Sequence, residues 1–157
     1  MDDVFRLLVT GHRDWSDAAQ IGRAMTRALA SANGRRVVVV HGACQTGVDH
    51  FVEYWCKLRG IATEPHPAQW RVDGKLDRSA GPKRNSEMVA AGADCCLAFW
   101  DGSVKSGTFD CLMKAVRAGI TVRIIPRAAN ASGHLTTSEG VSSTEDAQPE
   151  RTNGDAR

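Results

Sequence analysis

The hydrophobic positions of residues 5–125 fall into two kinds of block that follow one another along the chain. Short apolar runs rich in β-branched residues, such as Val37–Val40, are typical of strands buried on both faces. Between them lie segments with apolar residues three or four positions apart, as at Ile21, Met25 and Ala28, a spacing typical of amphipathic helices. We predict strands at 5–10, 37–40, 61–65, 94–99 and 121–125 and helices at 17–31, 47–58, 82–91 and 106–118.

This alternation predicts an α/β fold with a parallel sheet of about five strands and helices on both faces. A chain of 157 residues has room for one such domain, which we place at 1–127. Residues 128–157 are polar and contain few large apolar side chains, so we predict a disordered tail there. The long polar stretch 66–80 is predicted to be a loop that crosses the open end of the sheet.

The charge is uneven along the chain. The net charge is +2, made of about +5 before residue 128 and −3 after it. A mildly basic domain suits an anionic ligand such as a phosphate, but the bias alone does not argue for nucleic acid. No apolar run is long enough to span a membrane and the N-terminus has no signal-peptide pattern.

The five cysteines lack C-x-x-C spacing, which favours reduced thiols in a cytoplasmic protein over a disulfide framework or a zinc site. The histidines also lack metal-ligand spacing, so we expect no metal and no cofactor. No catalytic constellation is evident. Cys44 precedes a predicted helix, but it has no partner base and is interpreted as a packing residue.

The strand 37–40 runs into a glycine-containing loop and then a helix. Such a loop presents free backbone N–H groups and the positive end of a helix dipole to an anion. Gly42 and Gly47 would allow a ligand to approach the backbone, and Asp49 could accept a hydrogen bond from a sugar hydroxyl. Alternatively, Thr46 and Asp49 form a capping box that serves only the helix.

Basic residues also occur after the first predicted strand and at the start of the third predicted helix. Arg13, in the loop Gly11–Asp14, could donate to a phosphate. Alternatively, the loop is a solvated turn in which Asp14 or Ser16 caps the next helix and Arg13 pairs with Asp17. Lys83 and Arg84 occupy a first helical turn, where positive charge opposes the helix dipole, which points to a site unless one of them pairs with Glu87.

A second anion site is expected at Gly107 and Thr108, where another helix begins, although Ser106 could simply act as its N-cap. Trp70 and Trp100 could stack on a base, or each could cover the rim of the core.

These pieces occur in an order that resembles the YspA-like branch of the SLOG superfamily, over about residues 5–125. The segments that carry the resemblance are 9–15, 41–49, 68–70, 81–85 with Met88, and 107–108. The resemblance implies a Rossmann-like domain that binds a nucleotide or a nucleotide-derived ligand, with a phosphate at the Gly42–Asp49 loop. The residues assigned to the ligand site are Gly11, His12, Arg13, Gly42, Ala43, Gly47, Asp49, Trp70, Arg84, Asn85, Gly107 and Thr108.

More distantly, the chain resembles the LOG-type phosphoribohydrolases, which cleave the base from a nucleoside monophosphate. Arg84 is similar to their helix-preceding arginine, but Cys111 stands where they have a glutamate, and Asp110 is one position away. A glycine pair that precedes their Gly-Thr element is also missing. Arg84, with Asp110 or Asp49, is therefore the candidate for any hydrolysis.

Three functions remain as hypotheses. The first is binding of a nucleotide or ADP-ribose-like molecule, for sensing or sequestration. The second is N-glycosidic hydrolysis, and the third is binding of single-stranded nucleic acid, as in the related DprA family, with Trp70 and Trp100 stacking on bases. A homodimer is a further expectation from related folds, and no membrane partner is expected.

Overall fold

The computed structural model describes residues 3–128. Within this range there are seven strands, which we label β1 to β7 in chain order: Val4–Gly11, Arg36–His41, Ala62–Pro65, Arg71–Val72, Lys75–Leu76, Cys95–Trp100 and Thr121–Pro126. Four helices of the same range, α1 to α4, span Ala18–Ala30, Val48–Leu58, Ala80–Ala90 and Gly107–Arg117. The predicted disordered tail lies outside the described residues apart from residue 128, and the domain boundary at residue 127 stays a prediction.

Five strands form one parallel sheet in the order β3-β2-β1-β6-β7, which confirms the predicted α/β class. Strand β1 is central, with Leu8 opposite Val40 on one side and Cys96 on the other. The chain builds outward from β1 to β3 and then crosses to β6 and β7 on the other side. The gap between the ends of β1 and β6 is therefore the topological switch point, where α/β sheets usually bind ligands.

Alternate residues of β1 enter the two apolar layers that enclose the sheet. Phe5, Leu7 and Val9 pack with the buried faces of α1 and α2. Leu8 packs on the opposite side with Met88 of α3 and with residues of α4. This two-residue alternation is what places one helix pair on each face.

The predicted loop 66–80 is partly wrong, because it contains the antiparallel hairpin β4–β5. Asp73 and Gly74 form its turn with φ of 50° and 74°. An Asp-Gly pair with positive φ at both positions is a common two-residue hairpin turn, and this signal was present in the sequence. Helix α3 begins at Ala80, two residues before the predicted start, with Ser79 at its N-cap position.

The side chain of Arg6 ties the β3 edge of the sheet to the loop before β6. Its two terminal nitrogens donate to the two carboxylate oxygens of Glu64 at 2.9 Å each, and its Nε donates to the Gly92 carbonyl at 2.8 Å. Hydrogen bonds from Arg6, and then from His66, lower the pKa of Glu64 to about 2. This cross-strand ion pair holds β3 in place. It therefore also holds the start of segment 66–80, which follows β3 and leads to the cleft.

All five cysteines lie in the described part of the chain and are free. None of the helices within residues 3–128 has the length and apolar character needed to cross a membrane.

Candidate functional site

An open cleft of about 720 Å³ lies at the carboxyl ends of β1 and β6, at the switch point of the sheet. Its walls come from the loops at the ends of β1, β2 and β6, from Trp70, and from the first turns of α3 and α4. The structure brings eleven of the predicted residues together there: Gly11, His12, Arg13, Gly42, Asp49, Trp70, Arg84, Asn85, Gly107, Thr108 and Asp110.

The other two predicted residues lie outside this cleft. Ala43 lines an adjoining cavity of about 320 Å³, together with Gln45 and Thr46. Gly47 lines neither cavity and is buried. A Cβ atom on Gly47 would overlap the main chain of His12 and Arg13, so this glycine allows two loops to pack together.

Two backbone N–H groups of loop 42–47 already have acceptors within the protein. The Ala43 N–H donates to Nδ1 of His41 at 3.2 Å, and the Cys44 N–H donates to Oδ2 of Asp49 at 3.1 Å. These two N–H groups of the loop are therefore not available to a ligand. Among residues 3–128, no acceptor lies within hydrogen-bond range of the N–H groups of Gln45, Thr46 and Gly47.

The alternative capping-box interpretation of this loop is also wrong. The N-cap of α2 is Gly47, with φ 71° and ψ −146°, and no side chain caps the helix. Asp49 is buried, at 5% relative exposure, and reaches back to the loop backbone. Its carboxylate therefore shapes the loop and lines the cleft at the same time.

His41 supports the same loop from below. Since its Nδ1 accepts the Ala43 N–H, its Nε2 carries the proton and donates to Glu53 at 2.7 Å. The ring is 2% exposed, so the strand end and the loop are joined by a buried side chain that the sequence did not single out.

Arg84 enters the cleft with no carboxylate partner in the described part of the chain. It donates to the carbonyls of Gly42 and His66 and, through Nε, to the Asn85 side-chain oxygen at 3.0 Å. No carboxylate of residues 3–128 lies within ion-pair distance of its guanidinium. Lys83 instead pairs with Asp77 at 2.8 Å, so neither basic residue pairs with Glu87.

Asn85 links the cleft faces of α3 and α4. Its Nδ2 donates to the Gly107 carbonyl at 3.1 Å and to Oδ2 of Asp110 at 2.9 Å. Lys114 also donates to Asp110, at 2.8 Å, so this carboxylate is held in one position at the cleft wall. Asn85 is itself 3% exposed, which makes it a structural bridge as well as a lining residue.

Cys111, the next residue after Asp110, points away from the cleft into the core beside Leu8 and Val40. Burial raises the pKa of its thiol to about 11, opposed by a hydrogen bond with Thr10. Cys44 is partly exposed, but burial, and after it the charge of Asp49, raises its pKa too. Neither thiol has the lowered pKa of a nucleophile, in agreement with the interpretation of Cys44 as a packing residue.

Helix α4 begins in the expected way. Ser106 is its N-cap, and its Oγ accepts the Phe109 N–H at 3.1 Å. Within the described residues, the N–H groups of Gly107 and Thr108 have no acceptor and face the cleft side of the helix. The cap and an anion site are therefore compatible at this helix start.

The two tryptophans have different roles. Arg13 lies over the Trp70 ring, with Cζ 5.3 Å from the centroid. It does not pair with Asp17, which caps α1 in place of the expected Asp14 or Ser16. Trp100 stacks on Phe109 at 5.4 Å and donates to the Ser103 carbonyl, and it lines neither cavity. The structure therefore brings Trp70, but not Trp100, into the cleft.

Lys105 is a lining residue that the sequence patterns did not reveal. It is exposed and makes no contact with a carboxylate of the described chain. The only sequence feature that indicated a site at Lys105 was its position in the loop before a helix. Many lysines without a role in binding occupy such positions. His12, which was predicted, also lines the cleft, with Nε2 3.0 Å from Asp101 Oδ1 in a geometry that falls short of a hydrogen bond.

The fold and the cleft together define a Rossmann-like α/β protein with a polar cleft at the switch point of its sheet. The family model described as "YspA, cpYpsA-related SLOG family" matches residues 5–72. The chain is also similar to the Gene 61 protein of Mycobacterium phage D29, with 41% identity over 123 residues, covering 74% of this chain and 93% of that protein. The protein belongs to the YspA, cpYpsA-related SLOG family.

Among solved structures, the chain is similar to a universal stress protein from Archaeoglobus fulgidus, at 18% identity and a TM-score of 0.42. The match covers 77% of this chain and 93% of that one. A likeness this loose supports no inference about the function of the cleft.

Proposed function

We propose that this protein binds a nucleotide or a nucleotide-derived ligand, such as an ADP-ribose-like molecule, in the switch-point cleft. One observation carries the proposal. The N–H groups of Gly107 and Thr108 at the start of α4, and those of Gln45 and Thr46 in the loop before α2, have no acceptor among residues 3–128. The cavities that they line both contain the guanidinium of Arg84, which has no carboxylate partner in that range. Helix N-termini and arginine forks are the groups that proteins most often direct at phosphates.

The remaining lining groups suit the other parts of such a ligand. The carboxylates of Asp49 and Asp110 are fixed hydrogen-bond acceptors at the cleft wall, as sugar hydroxyls require. Trp70 is 40% exposed and offers one ring face near Arg13, which suits a stacked base. A volume of about 720 Å³ lies within the usual range for small-molecule sites.

Isothermal titration with AMP, ADP-ribose and inorganic phosphate tests the proposal. We expect the organic phosphates to bind and Arg84→Gln to weaken them about 10- to 100-fold, because a charge-assisted hydrogen bond is lost. Arg117→Gln is the matched control, since Arg117 is an exposed arginine that lines no described cavity. Absence of binding at millimolar concentration, or equal loss in both variants, would reject the proposal.

A second candidate function, N-glycosidic cleavage of a nucleoside monophosphate, is favoured by the position of Asp110. The carboxylate lies in the cleft, whereas its neighbour Cys111 does not. A carboxylate near the sugar could stabilise positive charge that develops at the anomeric carbon. Incubation with AMP should then release adenine and ribose 5-phosphate, and Asp110→Asn should abolish release while leaving binding measurable. If AMP binds and stays intact, the protein is a binder and not a hydrolase.

A further inference from the structure

We propose that the acidic segment 139–150 of the chain docks on a basic groove between α1 and α2. This groove, which we call the arginine groove, has a volume of about 350 Å³. The lining residues that matter are Gly22, Arg23, Thr26, Arg27, Trp55 and Arg59. It shares no lining residue with the switch-point cleft, so the proposal is independent of the proposed function.

The arginine groove carries positive charge without a counter-charge from the described part of the chain. Arg23 and Arg27 are exposed, lie one turn apart on α1, and contact no carboxylate among residues 3–128. Arg59 lies over the ring of Trp55, with its Cζ 4.0 Å from the centroid. Three guanidinium groups around one concave surface select an anionic partner.

Trp55 adds a hydrogen-bond donor to the same surface. Gly22 permits the indole to approach α1, because a Cβ atom there would lie 3.3 Å from the indole nitrogen. Within residues 3–128 the indole N–H of Trp55 has no acceptor. A carboxylate is a strong acceptor for such a group, and its charge would also be stabilised by the arginines.

The chain leaves the sheet beside α1, one of the two helices that form the groove. The Pro126 carbonyl accepts a hydrogen bond of 2.8 Å from Gln20 in the first turn of α1. Arg127 pairs with Asp14 at 2.8 Å and lies over Trp15. The last described residues therefore end next to α1, with Arg23 one turn along the helix from Gln20.

Segment 139–150 has the composition that the groove requires. It carries the carboxylates of Glu139, Glu145, Asp146 and Glu150 and no lysine or arginine. The eleven residues from 128 to 139 reach at most about 35 Å when extended, enough to cross α1. Tethering at this distance raises the effective concentration of the carboxylates to roughly millimolar, so individually weak ion pairs suffice.

A photo-crosslinking experiment on the full chain tests the proposal. A benzoylphenylalanine is placed at Thr26, inside the arginine groove, and after irradiation the crosslinked peptides are identified by mass spectrometry. We expect a crosslink to residues 139–150 in a product of monomer mass. Its yield should fall several-fold between about 20 mM and about 500 mM salt, because exposed ion pairs are screened.

Two variants and one control position decide the outcome. Neutralising the segment with Glu139→Gln, Glu145→Gln, Asp146→Asn and Glu150→Gln should remove the crosslink, as should Arg23→Gln with Arg27→Gln. The same probe at Val116, exposed on α4, should give no product with 139–150. A product of dimer mass, a product with nucleic acid, or no product with 139–150 would overturn the proposal.

Discussion

The loop 42–47 before α2 and the loop 101–106 before α4 occupy equivalent places in the fold. Each joins a parallel strand to a helix at the same edge of the sheet, and both meet the switch-point cleft. Loop 101–106 is stabilised locally, because Ser103 donates to Asp101 and Ser106 caps the helix. Loop 42–47 depends on side chains that lie outside it.

The difference concerns where each loop finds its hydrogen-bond acceptors. In loop 42–47 the acceptors are the ring of His41 and the carboxylate of Asp49, and the cap position holds a glycine with positive φ. A loop held from both ends keeps one shape, whereas a locally capped loop tolerates substitution. We infer that loop 42–47 tolerates fewer substitutions than loop 101–106.

The largest effect should come from Gly47→Ala compared with Gly102→Ala. Both glycines have positive φ, 71° and 96°, but only at Gly47 would a Cβ overlap other backbone atoms. We expect Gly47→Ala to lower the free energy of unfolding by about 3 kcal/mol or more. Gly102→Ala should cost about 1 kcal/mol. Urea unfolding measures both, and equal losses would contradict the comparison.

A smaller effect is expected from the acceptors themselves. Asp49→Ala leaves the Cys44 N–H without its partner and should cost about 2 kcal/mol of stability. Ser106→Ala removes one N-cap hydrogen bond and should cost about 1 kcal/mol. Asp49→Asn, which retains an acceptor oxygen, should lie between Asp49→Ala and the wild type in thermal unfolding. If Ser106→Ala lost more stability than Asp49→Ala, the proposed difference between the two loops would be wrong.

The reactivity of Cys44 reports on the same carboxylate. Because Asp49 contributes, after burial, to the raised pKa of this thiol, Asp49→Asn should increase the thiolate fraction at pH 8. We expect Ellman's reagent to react with Cys44 a few-fold faster in that variant. Cys44→Ala supplies the background from the four buried thiols. An unchanged or slower rate would mean that Asp49 does not act on the thiol.

The smallest effect concerns β3, which pairs with the strand that leads into loop 42–47. Arg6 and His66 lower the folded-state pKa of Glu64 to about 2 from its ordinary value of 4.5. The stability from this carboxylate is therefore present above pH 4.5 and lost as the pH falls toward about 2. The pair is partly exposed, so Glu64→Gln should cost about 1 kcal/mol or less at pH 7. The cost should shrink between about pH 5 and about pH 3 in urea titrations, and a constant difference would contradict the assignment.

Most of the fold could be predicted because it depends on local apolar periodicity. The run at 37–40 and the spacing along α1 needed no distant partner to be interpreted. The hairpin β4–β5 was missed because its strands have two residues each, too short for a pattern, although Asp73-Gly74 signalled the turn.

The sequence was enough to predict which loops meet at the candidate site. It was not enough to predict the hydrogen bonds that their side chains make there. Parallel topology brings Arg13, Arg84 and Thr108 to one edge, and this is a consequence of strand order alone. The bonds of His41 to Ala43 and of Asp49 to Cys44 depend on side-chain rotamers in three dimensions. The two alternatives for Trp100 could not be separated from the sequence, because its stacking on Phe109 depends on tertiary packing that spacing does not reveal.

The close approach of Arg84 to Gly42 couples the residues that are tolerated at two positions far apart in the sequence. A methyl group at position 42 would occupy the space of the guanidinium, which is also hydrogen-bonded to the Gly42 carbonyl. Position 42 therefore depends on position 84: a bulkier residue at 42 requires a shorter one at 84, so Gly42→Ala should cost less stability when it is combined with Arg84→Gln than when it is made alone.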